Sequence, residues 1–136
     1  MANNEKHNDT SLLSQLDIPA KERLILALDL PTPTQAKDLV LELGKSVSFY
    51  KIGLELFMTN GYFELLEWLK KHDKKVFVDL KFFDVPRTVA AAVHNLSLMG
   101  VDFATVHGND SILAEAVAAK GAELKLLAVT ALTSLD

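Results

Sequence analysis

Short apolar runs alternate along this chain with longer stretches in which apolar residues recur every three or four positions. The runs Arg23 to Asp29, Ser48 to Ile52, Lys75 to Leu80, Asp102 to His107 and Lys125 to Thr130 carry apolar side chains at consecutive positions, the pattern of buried strands. Between them the period lengthens to that of amphipathic helices. For the first helix, Thr32 is a capping residue, Pro33 suits the first helical position, Gln35 completes a capping box and Gly44 follows the last turn. Its apolar face is Ala36, Leu39, Val40 and Leu43. A second helix is expected over about Tyr62 to His72 with Phe63, Leu66 and Leu69 inward, and a third from near Pro86 to Gly100 with Val89, Val93 and Leu96 inward. A fourth runs from about Ser111 to Lys120 and ends before Gly121.

Strands of this kind joined by helices belong to a parallel sheet covered on both faces, so the fold class is α/β. The steps from Asp29 to Lys51, Asp79, His107 and Thr130 are those of a repeated βα unit, in a (β/α)8 barrel or a doubly wound sheet. The barrel is the expected architecture. It needs eight strands and typically about 250 residues, whereas this chain of 136 residues supplies about five strands and four helices. It is therefore expected to be the N-terminal part of a longer protein, with a five-stranded open sheet as the alternative. Residues 1–20 are expected to be a flexible leader, because Met1 to Ser14 is polar and lacks the apolar core of a secretory signal. Residues 21–136 then form the portion of a single barrel domain, with no linker or low-complexity segment.

Composition narrows the function. The chain is 49% hydrophobic and 24% charged, suited to a domain with an apolar core. A net charge of -4 and four scattered His leave no basic patch, which argues against a nucleic-acid polymer as partner. The absence of Cys excludes disulfides, thiolate metal sites and a Cys nucleophile. No apolar stretch approaches the roughly 18 residues that cross a bilayer, so no membrane is expected and the expected compartment is the cytoplasm.

Ligands of α/β proteins bind at the carboxyl ends of the strands, and here those ends are polar. The first strand ends in Asp29, the second carries Lys51, and the third carries Asp79 and Lys81, with Asp84 a few residues on. The fourth ends in His107 and the fifth in Thr130, followed by Thr133 and Ser134. In a strand Asp79 and Lys81 point one way while Val78 and Leu80 point the other. An acid and a base side by side in an apolar segment mark a candidate site, or alternatively a structural ion pair.

Ala-Leu-Asp29, Lys51-Ile-Gly, Asp79-Leu-Lys81-Phe-Phe-Asp84-Val-Pro86-Arg-Thr88 and Val-Thr-Ala-Leu-Thr133-Ser resemble the successive motifs of the orotidine 5'-phosphate decarboxylase family. Asp-x-Lys-x-x-Asp alone also occurs in sister sugar-phosphate barrels, the ketogulonate-phosphate decarboxylases and hexulose-phosphate synthases. The Phe-Phe-Asp-Val-Pro-x-Thr extension, with Asp29 and Lys51 in order, is the more specific part. Arg87 stands where Asn is frequent in the family, and Phe83 where His is.

The resemblance implies a (β/α)8 barrel that converts orotidine 5'-phosphate to uridine 5'-phosphate and carbon dioxide in pyrimidine biosynthesis, with no metal or organic cofactor. By the same resemblance Lys81 stabilises the carbanion and donates the proton, Asp79 lies beside the departing carboxylate, and Lys51 and Asp84 complete a network of two cations and two anions. Asp84 would reach across a twofold axis into the partner's site, making a homodimer the catalytic unit; its other reading is a helix N-cap before Val85 and Pro86. Asp29, Pro86, Thr88 and Thr133 would hold ribose and pyrimidine groups along with Lys51, Asp79 and Lys81, although Thr88 also suits a plain first-turn helix position. His94 and His107 are read as structural. The family's phosphate grip lies late in the barrel, so the 136 residues alone are expected to be inactive. The alternatives are a sister sugar-phosphate barrel, which would use a divalent metal, and a non-catalytic half-barrel.

Overall fold

The computed structural model describes residues 16–134. Of the expected leader, residues 1–15 lie outside the described residues. A single 3-10 turn at Ala20–Glu22 precedes β1 (Leu26–Ala27), α1 (Pro33–Leu43), β2 (Phe49–Gly53), α2 (Leu54–Phe57), α3 (Tyr62–Lys71), β3 (Lys75–Phe82), α4 (Pro86–Leu98), β4 (Phe103–His107), α5 (Asp110–Ala119) and β5 (Lys125–Val129).

The strands form one parallel sheet in the order β1-β2-β3-β4-β5. Each connection steps to the next strand in the same direction. Because such crossovers are right-handed, a run of steps that never reverses winds every helix onto one face. A doubly wound sheet reverses its strand order at a switch point; this one does not, and it is a sector of a (β/α)8 barrel.

The core lies between the helix-bearing face and the helices. Tyr50, Ile52, Val76, Val78, Ala104 and Val106 from the strands meet Val40 of α1, Leu66 and Leu69 of α3, Val89 and Val93 of α4 and Ile112 of α5. Each of the larger of these side chains contributes about 1.5–3 kcal/mol by leaving water. At the other face β5 carries Leu127, 43% exposed, and Ile25, just before β1, is 42% exposed. Among the described residues the expectation of a sheet covered on both faces is therefore corrected: alternate strand residues point to an inner, barrel-type face that no described helix covers.

α1 starts and stops as its capping signals require: the Thr32 hydroxyl accepts the Gln35 N–H at 3.2 Å, Pro33 is the first helical residue, and Gly44 follows with φ of 53°. Other expectations are corrected. β1 pairs over two residues rather than the whole of Arg23 to Asp29, since it forms an edge with only β2 as neighbour. Phe63 does not point inward; it is 48% exposed, and Tyr62 and Leu65 fill the core instead. Leu66 and Leu69 are buried as expected, and with Tyr62 and Leu65 they make the i, i+3, i+4, i+7 stripe of α3, which leaves Phe63 at its margin; there Phe57 of α2, an unforeseen helical turn, lies edge-on against both Tyr62 and Phe63, at 5.3 and 6.2 Å between ring centres.

Candidate active site

The carboxyl ends of β1, β2 and β3 bring Asp29, Lys51, Asp79 and Lys81 into one line. Lys51 Nζ lies 3.5 Å from Asp29 and 3.6 Å from Asp79, and Lys81 Nζ lies 2.9 and 3.0 Å from the two oxygens of Asp79. The charges alternate, so each like-charged pair is separated by an opposite charge. Asp79 is the most enclosed of the four, 14% exposed against 23% for Lys51, 42% for Lys81 and 59% for Asp29. Burial pushes the Asp79 carboxyl up, but the hydrogen bonds from Lys81 and Thr105 and the positive charges of Lys81 and Lys51 outweigh it and hold it below the usual carboxylate range.

Lys81 is aimed by a local irregularity. Between Val78 and Phe82 the register with β4 shifts, Val78 pairing with Ala104 and Phe82 with Val106, so β3 carries extra residues against Thr105 alone. Within this bulge Lys81 takes φ of +49°, a left-handed conformation that a residue with a β-carbon adopts only under local compulsion. The Lys81 N–H donates to Thr105 Oγ1 at 2.9 Å, and the Thr105 hydroxyl donates to Asp79 Oδ1 at 2.9 Å. Thr105 was missed from the sequence, although a hydroxyl at the middle of an otherwise apolar strand was the signal available.

Asp79, Lys81 and Thr105 open onto a cleft of about 530 Å³ floored by Phe77 and closed on the β5 side by Val129, Thr130 and Thr133. Thr133 lines this cleft; Lys51 and Asp29 stand beside Asp79, towards β1. Asp84 does not join this line. It is exposed, forms no ion pair among the described residues, and accepts the Val85 N–H at 2.6 Å. The N-cap of α4 is Val85, without a side-chain cap, so the capping reading of Asp84 is corrected: the carboxylate lies one residue too early. Pro86 opens α4 and Thr88 is exposed on its first turn, with its N–H bound to the Val85 carbonyl. His107 stacks on Phe83, ring centres 4.6 Å apart, and His94 is exposed on α4. Among the described residues no three His, Cys, Asp or Glu side chains gather closely enough to hold a metal ion, and no helix is long and apolar enough to cross a membrane.

Residues 22–136 match the family model described as "Orotidine 5'-phosphate decarboxylase / HUMPS family". The chain belongs to this family. It is 63% identical over 126 residues to the orotidine 5'-phosphate decarboxylase of Methylococcus capsulatus, covering 93% of this chain and 52% of that protein. Against the Stenotrophomonas maltophilia protein of the same name the identity is 49%, with 90% and 52% covered. The chain therefore spans about half the length of the curated relatives it matches. Among solved structures, the orotidine 5'-phosphate decarboxylase of Lactobacillus acidophilus superposes with a TM-score of 0.73 at 35% identity, over 83% of this chain and 55% of that one. An uncharacterised protein of Geobacillus kaustophilus superposes at 0.75 and 31% identity, over 82% and 56%.

Proposed function

We propose that the protein carrying this chain is an orotidine 5'-phosphate decarboxylase of pyrimidine biosynthesis, acting in the cytoplasm as a homodimer with shared sites. The observation that carries the reading is the Lys51–Asp79–Lys81 line at the edge of the cleft, with Lys81 turned onto it by the bulge. In the reaction the bond from C6 to the carboxylate breaks and its electron pair remains on C6. A cation held against C6 lowers the energy of that developing charge, and Lys81 then transfers a proton to the same carbon. Being 42% exposed, Lys81 can regain its proton from water. The enclosed, ionised Asp79 sets a negative charge beside the substrate carboxylate and, with Lys51, keeps the cations in register.

Asp29 and Thr133 flank the line as groups for ribose and pyrimidine, with Pro86 and Thr88 at the entrance of α4. An exposed Asp84 without an ion pair among the described residues suits a role in the partner's site. The family description also takes in a sister group, for which a divalent metal would be needed, so the assay includes a chelator. The full-length protein is expected to consume orotidine 5'-phosphate, followed by its absorbance, in the presence of chelator, and Lys81→Ala is expected to abolish turnover with the circular dichroism spectrum unchanged. Loss of activity in chelator, or more than a trace of activity in Lys81→Ala, would overturn the reading.

A further inference from the structure

Apart from the tyrosines Tyr50 and Tyr62, Thr105 is the only side chain with a polar group among the described residues that is buried, 6% exposed. Its place explains why. The Lys81 backbone N–H is a donor and the Asp79 carboxylate an acceptor, both 2.9 Å from one oxygen. A hydroxyl alone among neutral side chains can accept from the first and donate to the second through a single atom. The direction of both bonds is therefore fixed: the lone pair takes Lys81, and the only proton goes to Asp79.

We propose that Thr105 is a positioning residue of the decarboxylation, which couples the backbone of Lys81 to the carboxylate of Asp79 and so sets the ammonium group against the reacting carbon. The inference rests on the function proposed above. The bulge leaves the Lys81 N–H without a partner in the ladder with β4, because the pairing passes from Val78 directly to Phe82. Thr105 supplies that partner and thereby holds the left-handed turn at φ of +49°. Its donated bond goes to Asp79 Oδ1, while Lys51 lies nearest Oδ2, so the two contacts together restrain the carboxylate in the line of charges. The bond also contributes to holding Asp79 ionised. Thr105 touches neither lysine ammonium among the contacts present, so it acts through Lys81 and Asp79 alone.

The test uses the full-length protein with Thr105→Val, Thr105→Ala and Thr105→Ser. Valine keeps the shape of threonine and removes both hydrogen bonds; serine keeps the hydroxyl and removes the methyl. Thr105→Val is expected to lower kcat at least tenfold with KM changed less than threefold, and Thr105→Ser to recover most of the loss. Carbon NMR of the Asp79 carboxyl is expected to show its titration moved to higher pH in Thr105→Val, and the Lys81 amide to exchange faster with solvent, with neither change in Thr105→Ser. If the valine variant fails to fold, the serine and alanine variants decide: equal impairment in the two would assign Thr105 to packing and overturn the proposal. So would a wild-type Asp79 titration in the alanine or valine variant. An inactive wild-type protein would sink the proposed function instead, while the titration and exchange measurements would still decide what Thr105 does.

Discussion

Asp79→Asn keeps the shape of the side chain and removes one charge from the middle of the line, so its cost can be worked out from the contacts. A hydrogen bond to a charged group is worth about 1.5–3 kcal/mol when buried. Lys81 is 42% exposed, which lowers its share towards the at most about 1 kcal/mol of a solvent-exposed pair. The Thr105 hydroxyl still donates to the amide oxygen, so that bond falls to the about 1 kcal/mol of a neutral one. Relief of the burial cost of the carboxylate returns part of the loss. The net expectation is about 1–2 kcal/mol at neutral pH. The sign of the pH dependence follows from the direction of the Asp79 shift. A carboxyl held below its ordinary value contributes stability that is fully present above the unfolded pKa, about 3.9, and is lost as pH falls through the folded value. Urea denaturation of wild type and variant is therefore expected to differ at neutral pH and to converge in acid. A gap as wide in acid as at neutrality would show that the asparagine disturbs packing rather than charge, and coincident curves at neutral pH would remove Asp79 from the electrostatics altogether.

Two further outcomes are expected. Mixing inactive Asp84→Ala and Lys81→Ala proteins under subunit exchange is expected to restore activity at about a quarter of the sites, because half the dimers are hybrids and each hybrid holds one site with neither defect; no recovery after verified exchange would confine Asp84 to its own subunit. Gly108→Ala is expected to destabilise by about 1–3 kcal/mol, since the added carbon would meet the Val129 carbonyl oxygen at 3.0 Å, a backbone atom that cannot swing aside as a side chain would; an unchanged denaturation midpoint would refute that close approach.

What the sequence determined by itself is the part of the structure governed by near neighbours. Thr32, Pro33, Gln35 and Gly44 bound α1 because capping is a matter of hydrogen bonds within one turn. Val89, Val93 and Leu96 face the core of α4 because helical period alone puts them on one stripe. The strand ends at Asp29, Lys51, Asp79 and Lys81 were legible for the same reason: charges closing apolar runs are visible one strand at a time. Tertiary structure decided what depends on two segments meeting. The inner face of the sheet is left uncovered because unreversed winding sends every helix to the other side, which no single strand records. Phe63, at the margin of the buried stripe of α3, packs edge-on against Phe57 because α2 folds back beside it, a contact that the period of α3 could not reveal. Asp29, rather than Asp84, stands as the fourth charge within this chain, since the sheet brings β1 beside β2 whereas the start of α4 carries Asp84 away. The bulge is the clearest instance: its backbone turn at Lys81 is set by register against β4, and the hydroxyl that holds it comes from Thr105, 24 residues further along the chain.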